Sequence, residues 1–192
     1  MRENLKKPLV SILMNCFNGE KYLTEAIDSV YSQTYSNWEI IFIDNCSTDN
    51  TKDIVGQYDK KIKYHKTKES LELGEARAFG LEFCKGDFLC FLDVDDYYYP
   101  SKLDEQVYQM EINKNYMMCY SGGFFMNEEG RVTKKFTPLA KSGIVFQQQL
   151  INYEINMQTV IIRNKININL DEKLEYSPDF DLFMQICSEY EV

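Results

Sequence analysis

Apolar residues recur along the chain in two rhythms. Pro8–Met14, Trp38–Ile43 and Phe88–Leu92 are short, nearly continuous apolar runs of strand length, the kind covered on both faces of a sheet. Between them, Leu23, Ala26, Ile27, Val30 and Tyr31 return at helical spacing, as do Ile54, Val55 and Tyr58, and later Leu103, Val107 and Met110. Ile62–His65 reads as a short strand, and Gly74–Cys84 as a helix whose Ala76, Ala78 and Gly80 allow close backbone approach. Asn18 is the expected cap of the first helix, and Ser101 with Asp104 a capping-box-like start for the helix of Leu103. Strand and helix alternate through this half, which predicts a parallel sheet with right-handed crossovers.

Beyond residue 115 the rhythm changes. Met117–Met126, the turn Asn127–Gly130 and Arg131–Val132 read as a hairpin, and Lys134–Gly143 as a mobile loop. A helix over Phe146–Ile151, a strand over Met157–Ile162 and a last helix carrying Leu182, Phe183, Ile186 and Tyr190 complete the pattern. The fold class expected is α/β, a mainly parallel central sheet flanked by helices with a mixed C-terminal part. With 192 residues, 44% of them hydrophobic, one core and one domain over 1–192 are expected.

A net charge of −9 argues against a nucleic-acid groove, which needs an excess of Lys and Arg, but leaves a metal-held nucleotide open. Six cysteines stand far apart without a Cys-x-x-Cys pair and read as reduced core residues of a cytoplasmic protein. No stretch has the length of a signal peptide's apolar region or of a membrane span.

The chemistry concentrates after the run Phe88–Leu92, where Asp93, Asp95 and Asp96 follow at once. Carboxylates at the end of a buried strand sit where open α/β sheets bind ligands, and like charges this close call for a hard cation, Mg²⁺ or Mn²⁺. The bland alternative is a solvated loop. A calcium loop of EF-hand type would want a ligand in place of Tyr97 and Gly in place of Tyr98. Arg77 is read either as a phosphate contact or as a surface residue paired with Glu72 or Glu75, and Asp44 either as a ligand or as a helix cap. His65, the only histidine, reads as a surface residue, so a Ser-His-Asp triad or a multi-histidine zinc site has no material.

Taken in order, Val10-Ser11-Ile12 through Asn18, Asp44 with Ser47-Thr48-Asp49, Gly74 with Ala76-Arg77 and Gly80, Leu92-Asp93-Val94-Asp95-Asp96, and Asp179-Phe180-Asp181-Leu182 resemble the family 2 glycosyltransferases, inverting nucleotide-sugar enzymes of GT-A fold. The resemblance implies a nucleotide-binding half over 1–100 and an acceptor-side half over 101–192. It implies that Cys16, Phe17, Asn18 and Asp44 hold the nucleotide base and that Arg77 lies near the nucleotide. Asp93 and Asp95 match the aspartate-x-aspartate motif, which contacts ribose and, through a metal, the diphosphate. The implied donor is a nucleoside-diphosphate sugar, most simply UDP-linked, and the acceptor a saccharide or lipid-linked glycan, with peripheral association at the inner face of a membrane. Departures from the family pattern are Cys46 where Gly is frequent, Phe79 where Asn is frequent, and Pro178 in place of a Glu.

Asp179 matches the catalytic base, and Asp181, two residues on, competes for that role. Pro178 disfavours helical geometry at Ser177, and the stripe of Leu182, Phe183 and Ile186 starts just after it, so Asp179 is expected at or near the first turn of the last helix. Two other function classes are weighed. A sugar nucleotidyltransferase is expected to open with a Gly-rich, Arg-bearing phosphate loop, where this chain has Asn15-Cys16-Phe17-Asn18-Gly19. A non-catalytic nucleotide- or sugar-binding module is the other, because the sequence stops soon after Asp179, where members of the family often continue with further acceptor-side helices.

Overall fold

The three apolar runs and the short strand at Ile62 become four parallel strands, β1 (Val10–Cys16), β2 (Trp38–Asp44), β3 (Ile62–Lys66) and β4 (Phe88–Phe91). In the computed structural model, which describes residues 7–139, 142–165 and 178–192, they lie in the order β3-β2-β1-β4. Beyond β4 the sheet continues with β8 (Ile161–Arg163) and then β5 (Met118–Cys119). β8 runs antiparallel to β4, with Phe88 opposite Arg163, and β5 runs antiparallel to β8. A mainly parallel sheet with a mixed C-terminal edge is what the two rhythms predict. The chain leaves β1 toward β2 and β3, then returns to the other side of β1 as β4. That reversal opens a crevice at the carboxyl ends of β1 and β4.

The helices are α1 (Leu23–Tyr31), α2 (Thr51–Val55), α3 (Leu73–Leu81), α4 (Lys102–Ile112), α5 (Phe146–Ile151) and α6 (Pro178–Glu189). Strand alternation divides the core between the two faces of the sheet. Val10, Ile12 and Met14 pack with Ile27 of α1 and Leu103 of α4. Leu13, Ile43 and Phe91 pack on the other face with Leu182, Phe183 and Ile186 of α6. Each such side chain, fully withdrawn from water, contributes about 1.5–3 kcal/mol. α3 lies close on this face because of Gly80, where a Cβ would come within 2.4 Å of Leu13 Cδ1 and 2.8 Å of Ile43 Cγ1.

Several expectations are corrected. Asn18 does not cap α1, because the turn Gly19–Tyr22 intervenes and Tyr22 is the N-cap residue. Ser101 precedes α4 but makes no side-chain capping bond. The hairpin consists of β6 (Gly123–Met126) and β7 (Val132–Phe136), a two-stranded sheet of its own, while Met118 and Cys119 join the main sheet. Residues 134–136 are therefore strand, not loop: Lys134 pairs with Phe125 and Lys135 with Phe124. Met157–Thr159 is a 3₁₀ turn whose Asn156 Oδ1 accepts from the Gln158 N–H at 3.1 Å. His65 is half-buried, its ring stacked on Phe83 at 3.8 Å between centroids. All six cysteines are unpaired; Cys16, Cys84, Cys90 and Cys187 are buried. Among the described residues no helix is long and apolar enough to cross a membrane.

At the amino end of the sheet a buried polar chain crosses the parallel strands. The Gly86 N–H donates to Ser11 Oγ at 2.8 Å, Ser11 Oγ donates to Glu39 Oε1 at 2.7 Å, and Lys63 Nζ pairs with Glu39 Oε2. Gly86 is needed there because a Cβ would lie 2.7 Å from both Leu9 O and Ser11 N, backbone atoms that cannot step aside. Gly86→Ala is expected to lower the unfolding free energy by about 1–3 kcal/mol. Urea denaturation measures it, and an unchanged midpoint would contradict the close fit.

Candidate functional site

Two loops meet at the carboxyl ends of β1 and β2. The first, Phe17–Gly19, leaves β1 through Asn18 in a left-handed conformation (φ 52°), and the second leaves β2 through Cys46 in another (φ 62°). Hydrogen bonds between the loops hold both conformations. The Asn18 N–H donates to Ser47 Oγ at 3.0 Å, and the Thr48 N–H donates to Asn18 Oδ1 at 2.8 Å. The Gly19 N–H donates to Thr51 Oγ1 at 3.1 Å, and the Glu20 N–H to Asp49 Oδ2 at 3.0 Å. Cys16 is buried beneath Gly19, and burial raises its thiol pKa, against a hydrogen bond with Thr51. Phe17, by contrast, is 59% exposed in the loop that leaves β1.

Asp44 closes the second loop from below. It is fully buried: Oδ1 accepts the Ser47 N–H at 2.7 Å, and Oδ2 accepts the Tyr64 hydroxyl and faces Lys66 Nζ at 3.6 Å. Burial alone would raise this carboxyl, but the hydrogen bonds from Tyr64 and Ser47 and the Lys66 charge outweigh it and hold the pKa below the ordinary value. The carboxylate has no free face in this arrangement.

Across the crevice, β4 delivers the acid loop. Asp93 Oδ1 and Oδ2 accept from Arg77 Nη2 at 3.0 and 3.2 Å, and Oδ2 also accepts from Gln158 Nε2. Arg77 is buried. It therefore pairs with neither Glu72 nor Glu75; Glu75 instead accepts the Glu72 N–H at 3.0 Å. Asp95 is exposed, and its carboxylate makes no hydrogen bond or ion pair among the described residues. Asp96 is exposed as a residue, yet protein packed around its carboxylate raises its pKa, a Gln158 hydrogen bond opposes this, and the Asp95 and Asp93 charges add to it. Among the described residues no three His, Cys, Asp or Glu side chains converge as a cage for a metal. A free strand-end carboxylate fits the open site of a cation that completes its shell with water and phosphate oxygens.

Asp179 stands half-buried in the first turn of α6. Its neighbour Phe180 meets the Tyr153 ring edge-on at 4.9 Å. The Tyr153 hydroxyl is buried without a partner among the described residues, and its pKa is raised, by burial first and then by the Asp179 charge. Asp179 lines neither of the two cavities beside the acid loop. Asp181 accepts from Gln185 Nε2 at 2.6 Å. Ser177, whose backbone bears on the start of α6, lies outside the described residues.

Of the residues singled out from the sequence, Asp93 pairs with Arg77 after β4, Asp95 stands exposed beside it, Cys16 and Asp44 are buried at the carboxyl ends of β1 and β2, Phe17 and Asn18 lie in the loop after β1, and Asp179 stands on α6. Sequence reasoning missed Gln158, whose only signal was a polar side chain beside a buried strand, and Lys102. The Lys102 ammonium lies 4.1 Å over the Tyr98 ring and donates to Gln106 Oε1 at 2.8 Å.

The family model described as Glycosyl transferase family 2 matches residues 11–168. A Rickettsia typhi protein described as an uncharacterized glycosyltransferase is 32% identical over 204 residues, which cover 99% of this chain and 63% of that protein. Among solved structures, S. aureus TarS 1-349 in complex with UDP matches with a TM-score of 0.76 and 24% identity, over 92% of this chain and 54% of that one. The same TarS fragment is also known in complex with UDP-GlcNAc. The mannosyltransferase PcManGT from Pyrobaculum calidifontis, in complex with GDP-Man and Mn²⁺, matches with a TM-score of 0.61 and 13% identity, over 82% of this chain and 45% of that one. The chain thus spans less than two thirds of these relatives' own lengths.

The lowered pKa of Asp44 has a consequence for stability. A carboxyl below its unfolded value of about 3.9 contributes stability that is present above that pH and is lost as pH falls through the folded value. Asp44→Asn is expected to cost about 1–2 kcal/mol at pH 7, as charged hydrogen bonds become neutral ones. The gap to the wild type should shrink below pH 4 in chemical denaturation. A gap independent of pH would mean that Asp44 is not ionised in the fold.

Proposed function

The chain belongs to glycosyl transferase family 2 and has the GT-A fold, and from that premise we propose that it transfers a sugar, with inversion, from a nucleoside-diphosphate sugar to a hydroxyl of a saccharide or lipid-linked glycan. The observation that carries this reading is the acid loop: a free Asp95 beside an Asp93 locked by Arg77, at the reversal point of the sheet. UDP is the favoured donor nucleotide because TarS, a structural neighbour, binds UDP and UDP-GlcNAc. Mn²⁺ or Mg²⁺ is the proposed cofactor, in keeping with the Mn²⁺ of PcManGT.

In this reading Phe17 stacks on the base, and Asn18 with Asp44 holds the loops that frame it. Asp44 acts through the Ser47 N–H it fixes. Arg77 is a positioning residue that sets the Asp93 carboxylate toward the ribose. Asp95 is the residue that would hold the cation. When bound, the cation supplies positive charge at the diphosphate as it departs. Asp179 takes the proton from the acceptor hydroxyl as its oxygen attacks the anomeric carbon from the side opposite the diphosphate. A binding module without catalysis would need the same crevice but no base. A glycosyltransferase bound at a membrane surface and one free in the cytoplasm would use the same residues.

Two measurements test the assignments. Asp95→Asn keeps the shape and removes the anionic ligand, so calorimetry should show UDP affinity in Mn²⁺ falling at least about tenfold, toward its metal-free value. Undiminished manganese dependence would take Asp95 out of the site. Asp179→Asn is expected to slow transfer by about 10²–10⁴-fold while Mn²⁺-dependent UDP binding stays intact, and Asp181→Asn to cost much less. The opposite ranking would move the base to Asp181, and equal transfer in all three proteins would favour a binding module.

A further inference from the structure

Past the acid loop the crevice opens into a cavity of about 160 Å³ between Tyr97–Tyr99 and the β6–β7 hairpin. Successive side chains of the tyrosine run point in and out. Tyr98 is buried with its hydroxyl donating to Phe91 O, while Tyr99 and Phe124 across the gap are 54% and 42% exposed. The exposed rings form a chain, Tyr97 to Tyr99 at 6.3 Å and Tyr99 to Phe124 at 5.7 Å between centroids. Tyr97 Oη lies 3.0 Å from Met126 Sδ, which draws the loop onto the hairpin. Aromatic faces left open together mark a binding surface.

The polar lining of the same cavity includes Asp96, Lys102, Asn156 and Gln158, and the Lys102 ammonium is already engaged by Gln106 Oε1 and the Val160 carbonyl. Asp96 offers its carboxylate, and Gln158, with its Nε2 spent on Asp93, leaves a buried Oε1 without any donor among the described residues. A buried acceptor without a donor is costly, so a ligand that supplies hydroxyl protons is favoured. Aromatic faces carry negative charge density and attract the weakly positive C–H bonds of an apolar face. An alkyl chain would satisfy the rings and strand the acceptors. A nucleobase would stack but bring few donors. A sugar ring has hydroxyl groups at its rim and C–H bonds on its face, and it meets both demands.

We infer that this cavity is a subsite for a pyranose ring, stacked on Tyr99 and Phe124 and hydrogen-bonded to Gln158 and Asp96. The inference rests on the proposed sugar transfer and leaves two sources for the ring, the transferred sugar and the acceptor. Tyr99→Leu and Phe124→Leu keep apolar bulk at exposed positions and remove the aromatic face. Their unchanged affinity for UDP, measured by calorimetry in Mn²⁺, is the check on folding.

In the donor arm, the gain in affinity of UDP-glucose, UDP-galactose and UDP-GlcNAc over UDP is compared in the three proteins. In the acceptor arm, saturation-transfer NMR follows methyl glucoside, methyl galactoside and methyl N-acetylglucosaminide. A loss of roughly three- to tenfold in either arm supports the subsite, because a stacked ring contributes on that scale. The arm that responds names the source of the ring. Equal sugar binding by wild type and both variants, or no sugar-dependent binding by the wild type in either arm, overturns it. If no UDP compound binds the wild type while the glycoside signal still depends on the two rings, the transfer reading fails and the subsite stands.

Discussion

The carboxylate of Asp93 ties together three parts of the chain that are remote in sequence. Arg77 reaches it from α3, β4 delivers it, and Gln158 reaches it from the turn before β8. The Arg77 guanidinium is almost wholly withdrawn from water, so it depends on this one anion for compensation. Removing either partner of such a pair leaves the other charge poorly compensated, which is why the contact constrains the packing around it. Its position is in turn set by the sheet. α3 lies low enough to present Arg77 only because Gly80 lets it settle on Leu13 and Ile43.

The other wall is organised differently. There, loops rather than packed side chains define the shape, and they are held by backbone N–H groups donating to Ser47, Thr51, Asp49 and Asn18. Asn18 and Cys46 occupy left-handed backbone that β-branched residues disfavour, and the lacing keeps them there. Phe17 is left exposed at the summit as a result.

Much of this was legible in the chain, and the parts that were not share a cause. β1, β2 and β4 are readable because they are buried on both faces, and α1 because one stripe is apolar. The carboxylates after Leu92 stand out for the same reason: charge directly after a buried run is rare. The start of β7 at Val132 was legible from the turn before it, but its continuation to Phe136 was hidden because residues 132–135 are all exposed, so no alternation marks them. Gln158 and Tyr64 were hidden because their partners, Asp93 and Asp44, are 65 and 20 residues away and meet only once the sheet is built. His65 looked like a surface residue among lysines, but the β3 edge turns it onto Phe83. The role of Asp179 was read from resemblance and stays a proposal; the structure adds its neighbours Phe180 and Tyr153.

The hairpin pairs only with itself among the described strands, whereas every backbone turn of the opposite wall is knitted into its neighbours. A change of side chain on β6 alters what the crevice touches without disturbing the sheet, while the same change at Asn18 or Ser47 unpicks the frame. The molecule therefore has one bank where inherited variation is readily absorbed and one where it is not. Descendants of this sequence would be free to diverge in the shape their aromatic wall accepts while keeping one unaltered grip opposite it.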